Sequence, residues 1–127
     1  MTVRVFKTKS FIDSVRDHEP LADEFKKLKS CENFRSVIYG KDVPFDYPPN
    51  VKLSNIHHIH IVKANHLGQI PYTSDRFLVY AQSFNNPSIY VILGVIEPPA
   101  HQAINNVSLL ESFAARAEEF HKHVSHL

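Results

Sequence analysis

The sequence predicts an α+β fold: a mainly antiparallel, four-stranded sheet packed against N-terminal helices and a C-terminal helix. Three observations lead there. Residues Asn55 to Lys63, Arg76 to Gln82 and Ile89 to Ile96 are rich in β-branched and aromatic residues and are separated by Asn, Gly and Pro. Both ends of the chain instead space their apolar residues at helical intervals. The length, 127 residues, suits a single domain spanning 1–127, large enough to bury a core without disulfides.

In chain order, Val3 and Val5 alternate with Arg4 and Phe6, which predicts a first strand over residues 2 to 8. Ser10 offers an N-cap, and Phe11, Ile12 and Val15, then Leu21, Ala22, Phe25 and Leu28, predict two helices up to about Phe34, the second started by Pro20. Gly40, Pro44, Pro48 and Pro49 predict an ordered but irregular connection over 36 to 54. The three strands follow, the last two close enough to form a hairpin. After Pro98-Pro99 a short turn or helix runs through Asn105, and Ser108 with Glu111 forms an S-x-x-E capping box for a final helix. The apolar stripe of that helix is Val107, Leu110, Phe113, Ala114, Ala117, Phe120 and Val124.

Composition excludes several functions. With 14 Lys+Arg against 13 Asp+Glu, the formal charge is +1, far from the strongly basic balance of proteins that hold nucleic acid unaided. A local basic excess does exist at the N-terminus, where Arg4, Lys7, Lys9 and Arg16 face only Asp13. The single cysteine, Cys31, excludes an internal disulfide and a multi-Cys zinc site and fits a reducing compartment. The N-terminus lacks the apolar region of a signal peptide, and the longest apolar run, Ile89 to Ile96, is too short to span a membrane. A cytoplasmic protein is expected. Only three glycines leave no Gly-rich phosphate loop.

The most unusual stretch is Ile56-His57-His58-Ile59-His60-Ile61. On a strand, His58 and His60 share one face and His57, Ile59 and Ile61 the other. The next strand separates Phe77, Val79 and Ala81 from Arg76, Leu78, Tyr80 and Gln82. Aligned polar face to polar face, these strands bring together His58, His60, Arg76 and Tyr80, with Ser74 and Asp75 at the edge and Lys63 at the strand end. Three readings are open. H-x-H can supply two zinc ligands, the third coming from His101, His66 or an Asp. Imidazoles can move protons in RNA cleavage while Arg or Lys steadies the phosphate. Histidines in strands also simply pack. His101, after Pro98-Pro99-Ala100, either enters the site or bonds a backbone carbonyl. Lys26, Lys27 and Lys29, interleaved with Asp23 and Glu24, read as a solvated helix face, and His121, His123 and His126 as a solvated end.

Several segments together resemble the YafO family of type II toxins, related to the RelE group. They are R-V-F-K-T-K at Arg4 to Lys9, Y-G-K-D at Tyr39 to Asp42, H-I-H at His58 to His60, T-S-D then L-V-Y within Thr73 to Tyr80, P-x-A-H at Pro98 to His101 and A-x-x-A-E-x-F at Ala114 to Phe120. The resemblance implies a RelE-like fold with its active site on an exposed sheet face, and a ribosome-dependent endoribonuclease cutting mRNA without metal or other cofactor. Its partners would be the ribosome, mRNA and a cognate, YafN-like antitoxin encoded beside it. Matched positions make His58, His60, Asp75, Tyr80 and His101 the catalytic candidates. Arg76 is added as a phosphate holder, because Tyr72 stands before T-S-D where the family tends to place Arg. Lys63, Tyr72, Arg4, Lys7 and Lys9 are the expected RNA contacts. A metal-dependent hydrolase built on His58 and His60, and a non-catalytic protein-binding module, are the alternatives.

Overall fold

The computed structural model describes residues 2–62 and 74–127. Two strands with apolar residues on both faces set its architecture. In β4 (Phe77–Gln82) only Gln82, and in β5 (Ile89–Ile96) only Val95, escapes burial, so the sheet must be covered on both sides. These strands lie at the centre of a five-stranded sheet, with β1 (Arg4–Lys7) outside β5, and β3 (Ile56–Ile61) then β2 (Tyr39–Pro44) outside β4. Only the β1–β5 pair is parallel.

One face carries α1 (Lys9–Ser14) and α2 (His18–Ser30), which pack Phe11, Leu21 and Phe25 onto Ile59, Leu78, Tyr80 and Ile92. The other carries α3 (Pro49–Leu53), α4 (Ala100–Ala103) and α5 (Val107–Val124). Here Leu110, Phe113, Ala117 and Phe120 cover Phe77, Val79, Val91 and Leu93. At Gly94 a Cβ would stand 3.0 Å from the Phe113 ring, so glycine permits the close approach of α5.

The α+β class holds, with three differences from the sequence expectation. The sheet has five strands rather than four, because Tyr39–Pro44, inside the stretch expected to be irregular, pairs with β3 as an edge strand. An edge tolerates Pro44 and the register shift between Tyr39 and Asp42 that a central strand would not. Neither face is open at the sheet centre, since Leu78 and Tyr80 are buried against α2. The helix caps also move. Thr8 caps α1, accepting from the Phe11 N–H, and Asn106 caps α5, accepting from the Leu109 N–H at 3.2 Å. Ser10 and Ser108 already lie inside the helices, where a capping side chain has no orphan amide to reach. No helix among the described residues is long and apolar enough to cross a membrane.

Candidate active site

Strand register decides which groups meet. β3 and β4 pair His58 with Val79 and His60 with Phe77, while His57 pairs with Tyr80 and Ile59 with Leu78. Residues directly opposite in an antiparallel pair share a face. His58 and His60 therefore lie with Phe77 and Val79, and Tyr80 lies across the sheet from them. The expected convergence of His58, His60, Arg76 and Tyr80 is thereby corrected. The offset by one residue between the alignment assumed and the one adopted exchanges the faces of a whole strand.

His60 and His101 approach each other on the α5 side, with ring centroids 5.7 Å apart. His60 is buried, and its Nδ1 lies 2.8 Å from the Ser74 amide nitrogen and 2.9 Å from the Ser74 carbonyl oxygen. A bare Nδ1 accepts from the amide, and a protonated one donates to the carbonyl. The Ser74 backbone thus supports either tautomer and leaves Nε2 as the nitrogen for proton exchange. Burial pushes the His60 pKa below its ordinary value, with the charges of His101 and Lys41 acting in the same direction and the Ser74 bond opposing them.

His101 is exposed at the start of α4. Its Nδ1 lies 2.8 Å from Asp75 Oδ1, which also accepts the His101 backbone N–H at 2.9 Å. The ring is anchored twice through one oxygen, with the proton placed on Nδ1 and Nε2 facing outward from the pair. These bonds from His101 hold the Asp75 carboxyl below its usual range. Phe77 fixes the other side of the ring by an edge contact at 5.0 Å.

His58 stands differently. Its ring lies 4.4 Å from Phe45 and 4.9 Å from Phe77, and its buried Nδ1 has no hydrogen-bond partner among the described residues. Desolvation, then the neighbouring His60, lowers its pKa to about 4, so it is a neutral packed ring at pH 7.

Arg76 is committed elsewhere. Its guanidinium grips Asp17 through two bonds, of 2.8 and 2.9 Å, and its Nε donates to Glu97. Tyr80 is 3% exposed, and its hydroxyl donates to the Asp42 carboxylate at 2.8 Å and accepts from Lys29 at 3.0 Å. That side chain has no face to offer a nucleotide. Lys29, expected on a solvated helix face, instead pairs with Asp42 at 2.8 Å and tethers α2 to the sheet. Arg4 and Lys7 are exposed on β1 and Lys9 at the start of α1, with β5 and β4 between β1 and β3. Lys63 and Tyr72 lie outside the described residues, as does His66. No group of three or more His, Cys, Asp or Glu among the described residues is arranged to hold a metal ion.

Sequence reasoning passed over Lys41 as a site residue. It is exposed on β2, and its charge reaches His60. Its signal was its place in Y-G-K-D, beside an Asp42 that turns to the opposite face to meet Tyr80.

Residues 23–122 match the family described as Toxin YafO, type II toxin-antitoxin system. The span contains His58, His60, Asp75 and His101 together with Lys41. The chain belongs to the YafO toxin family. As a YafO-family toxin of a type II toxin-antitoxin system, it has an antitoxin as its implied partner. No curated protein and no solved structure gives a significant match.

Proposed function

We propose that this toxin is a ribosome-dependent endoribonuclease that cleaves mRNA by attack of a 2′-hydroxyl on the adjacent phosphate, related in mechanism to the RelE group. The observation that carries the reading is the His60–His101 pair, two imidazoles 5.7 Å apart, each held through Nδ1. That separation lets both rings reach one phosphodiester, as general acid–base cleavage requires.

His60, kept neutral by burial, takes the 2′-hydroxyl proton on Nε2 as the O2′–P bond forms. His101 gives a proton to O5′ as the P–O5′ bond breaks, leaving a 2′,3′-cyclic phosphate and a free 5′-hydroxyl. Asp75 positions His101 and faces the charge its ring carries when protonated. Lys41 replaces Arg76 as the cation proposed to meet the phosphate charge. His58 packs beneath the pair, and Arg76 and Tyr80 take no part in the chemistry. No cofactor enters the scheme.

With a net charge of +1 the toxin binds free RNA weakly, and the ribosome supplies the position that its own surface does not. Arg4, Lys7 and Lys9 are then contacts for ribosomal or messenger phosphates, in the cytoplasm. Mapping mRNA 5′ ends on ribosomes after expression of the wild type, His60→Ala and His101→Ala tests the proposal. Cleavage by the wild type that both variants lose is expected; undiminished cleavage by both would overturn it.

A further inference from the structure

A cleft of about 620 Å³ opens between the N-terminal turn of α2 and the adjoining ends of β3 and β4. Its walls are apolar: Pro20, Leu21, Ile38, Ile61, Val62 and Pro98. Its polar side is formed by Asp17, Ser74, Asp75 and Arg76. The volume lies within the roughly 300–1,000 Å³ of clefts that enclose compact groups.

The charge of the rim selects the occupant. Asp17 and Glu97 both bind the Arg76 guanidinium, and Asp75, whose carboxylate turns to His101, lines the same cleft, so its polar side carries three carboxylates to one arginine. Such a rim repels a phosphate backbone and attracts Lys or Arg. Apolar walls under an acidic rim fit an apolar side chain flanked by a basic one, which is protein chemistry rather than nucleic-acid chemistry.

We propose that this cleft is the seat of the antitoxin, which inserts an aliphatic or aromatic side chain between Ile38 and Ile61 and sets a Lys or Arg against Asp17, Asp75 and Glu97. The location gives the contact a consequence. Ser74 and Asp75 line the cleft, and the same two residues hold His60 and His101. A segment seated there, on the α2 face of the sheet, presses on the two residues that hold the imidazoles from the opposite face. Binding itself rests on family membership and on the cleft, and does not depend on the cleavage reading.

The affinity of the full-length toxin for the antitoxin encoded beside it, measured by calorimetry, tests the site. Ile61→Trp fills the cleft and Glu97→Lys cancels the net negative charge of its rim, and both positions lie outside the proposed catalytic groups. Each variant should weaken binding at least tenfold, with Lys122→Glu on α5 as a control that leaves it unchanged. A photo-crosslinking residue at position 98 should label the antitoxin, which keeps the test decisive if Ile61→Trp fails to fold. Affinities within twofold of wild type for both variants, without labelling from position 98, overturn the assignment. So does unchanged antitoxin affinity combined with an altered mRNA cleavage pattern, which gives the cleft to RNA.

Discussion

Asp75 Oδ1 accepts the backbone N–H of His101 at 2.9 Å and lies 2.8 Å from Nδ1 of the same residue. One carboxylate oxygen thus orients the ring and starts the short helix that carries it. Asp75→Asn keeps an acceptor for both donors but removes the charge, whereas Asp75→Ala removes both. Cleavage rates on ribosome-bound mRNA should fall about tenfold for Asp75→Asn and about 100-fold for Asp75→Ala, the latter at the lower edge of the 10²–10⁴-fold typical of losing a proton-transfer group outright in His101→Ala. Equal rates for all four proteins would remove Asp75 and His101 from the reaction.

Lys41 is exposed, so its replacement leaves the core untouched and tests the role proposed for its charge. Lys41→Ala should leave the melting temperature unchanged and lower the cleavage rate by at least tenfold. Because the lysine charge holds the His60 pKa down, its removal should also move the basic group's limb of the pH–rate profile upward. A profile at the wild-type position with an undiminished rate would return Lys41 to the solvated surface.

His58 makes folding sensitive to acid. Its imidazole falls from an ordinary 6.5 to about 4 on burial, so the unfolded chain binds the proton more readily. Stability is complete above pH 6.5 and declines as the pH drops towards 4, by up to about 3 kcal/mol from this residue. His57 and His60, also lowered, add to the same slope. His58→Phe removes the His58 share and the orphaned Nδ1, so denaturant melts between pH 4 and 7 should show a shallower loss than in the wild type. Parallel curves for the two proteins would contradict the assigned environment.

Arg76 and Tyr80 are expected to act on stability. Tyr80→Phe strands Asp42 and Lys29 without their buried hydroxyl and should cost about 1–2 kcal/mol in urea unfolding. Arg76→Met leaves Asp17 and Glu97 facing each other at a partly exposed site, where screening limits the cost to about 1 kcal/mol. Per folded molecule, both variants should cleave within threefold of wild type. A 100-fold loss in Arg76→Met with unchanged stability would restore the arginine to the phosphate.

Much of the fold can be read from particular residues. β-branched and aromatic residues within a single run mark β5, which spans Ile89–Ile96 as expected, and the apolar spacing from Leu110 to Val124 marks α5. The edge strand β2 escaped because Gly40 and Pro44 are turn-forming residues that only an edge accommodates. The H-I-H motif, Asp75 and His101 stood out in the sequence, and the structure brings His60, Asp75 and His101 together. The false partners Arg76 and Tyr80 came from the one quantity that a strand's own sequence does not contain, its register against the neighbour.

Period-two alternation along β3 determined by itself that His58 and His60 share a face, because side-chain direction follows from local backbone geometry alone. The order and spacing of local motifs, not any long-range contact, likewise pointed to the toxin family. Tertiary structure decided the rest. Pairing His58 with Val79 rather than with a neighbour on β4 was settled by burying Leu78 and Tyr80 against α2 and Phe77 and Val79 on the other face. A shift of one residue would have exchanged the two sets between the α2 and α5 layers and broken the packing each makes there. Packing over the whole sheet therefore placed His60 beside His101 and turned Tyr80 into a core residue.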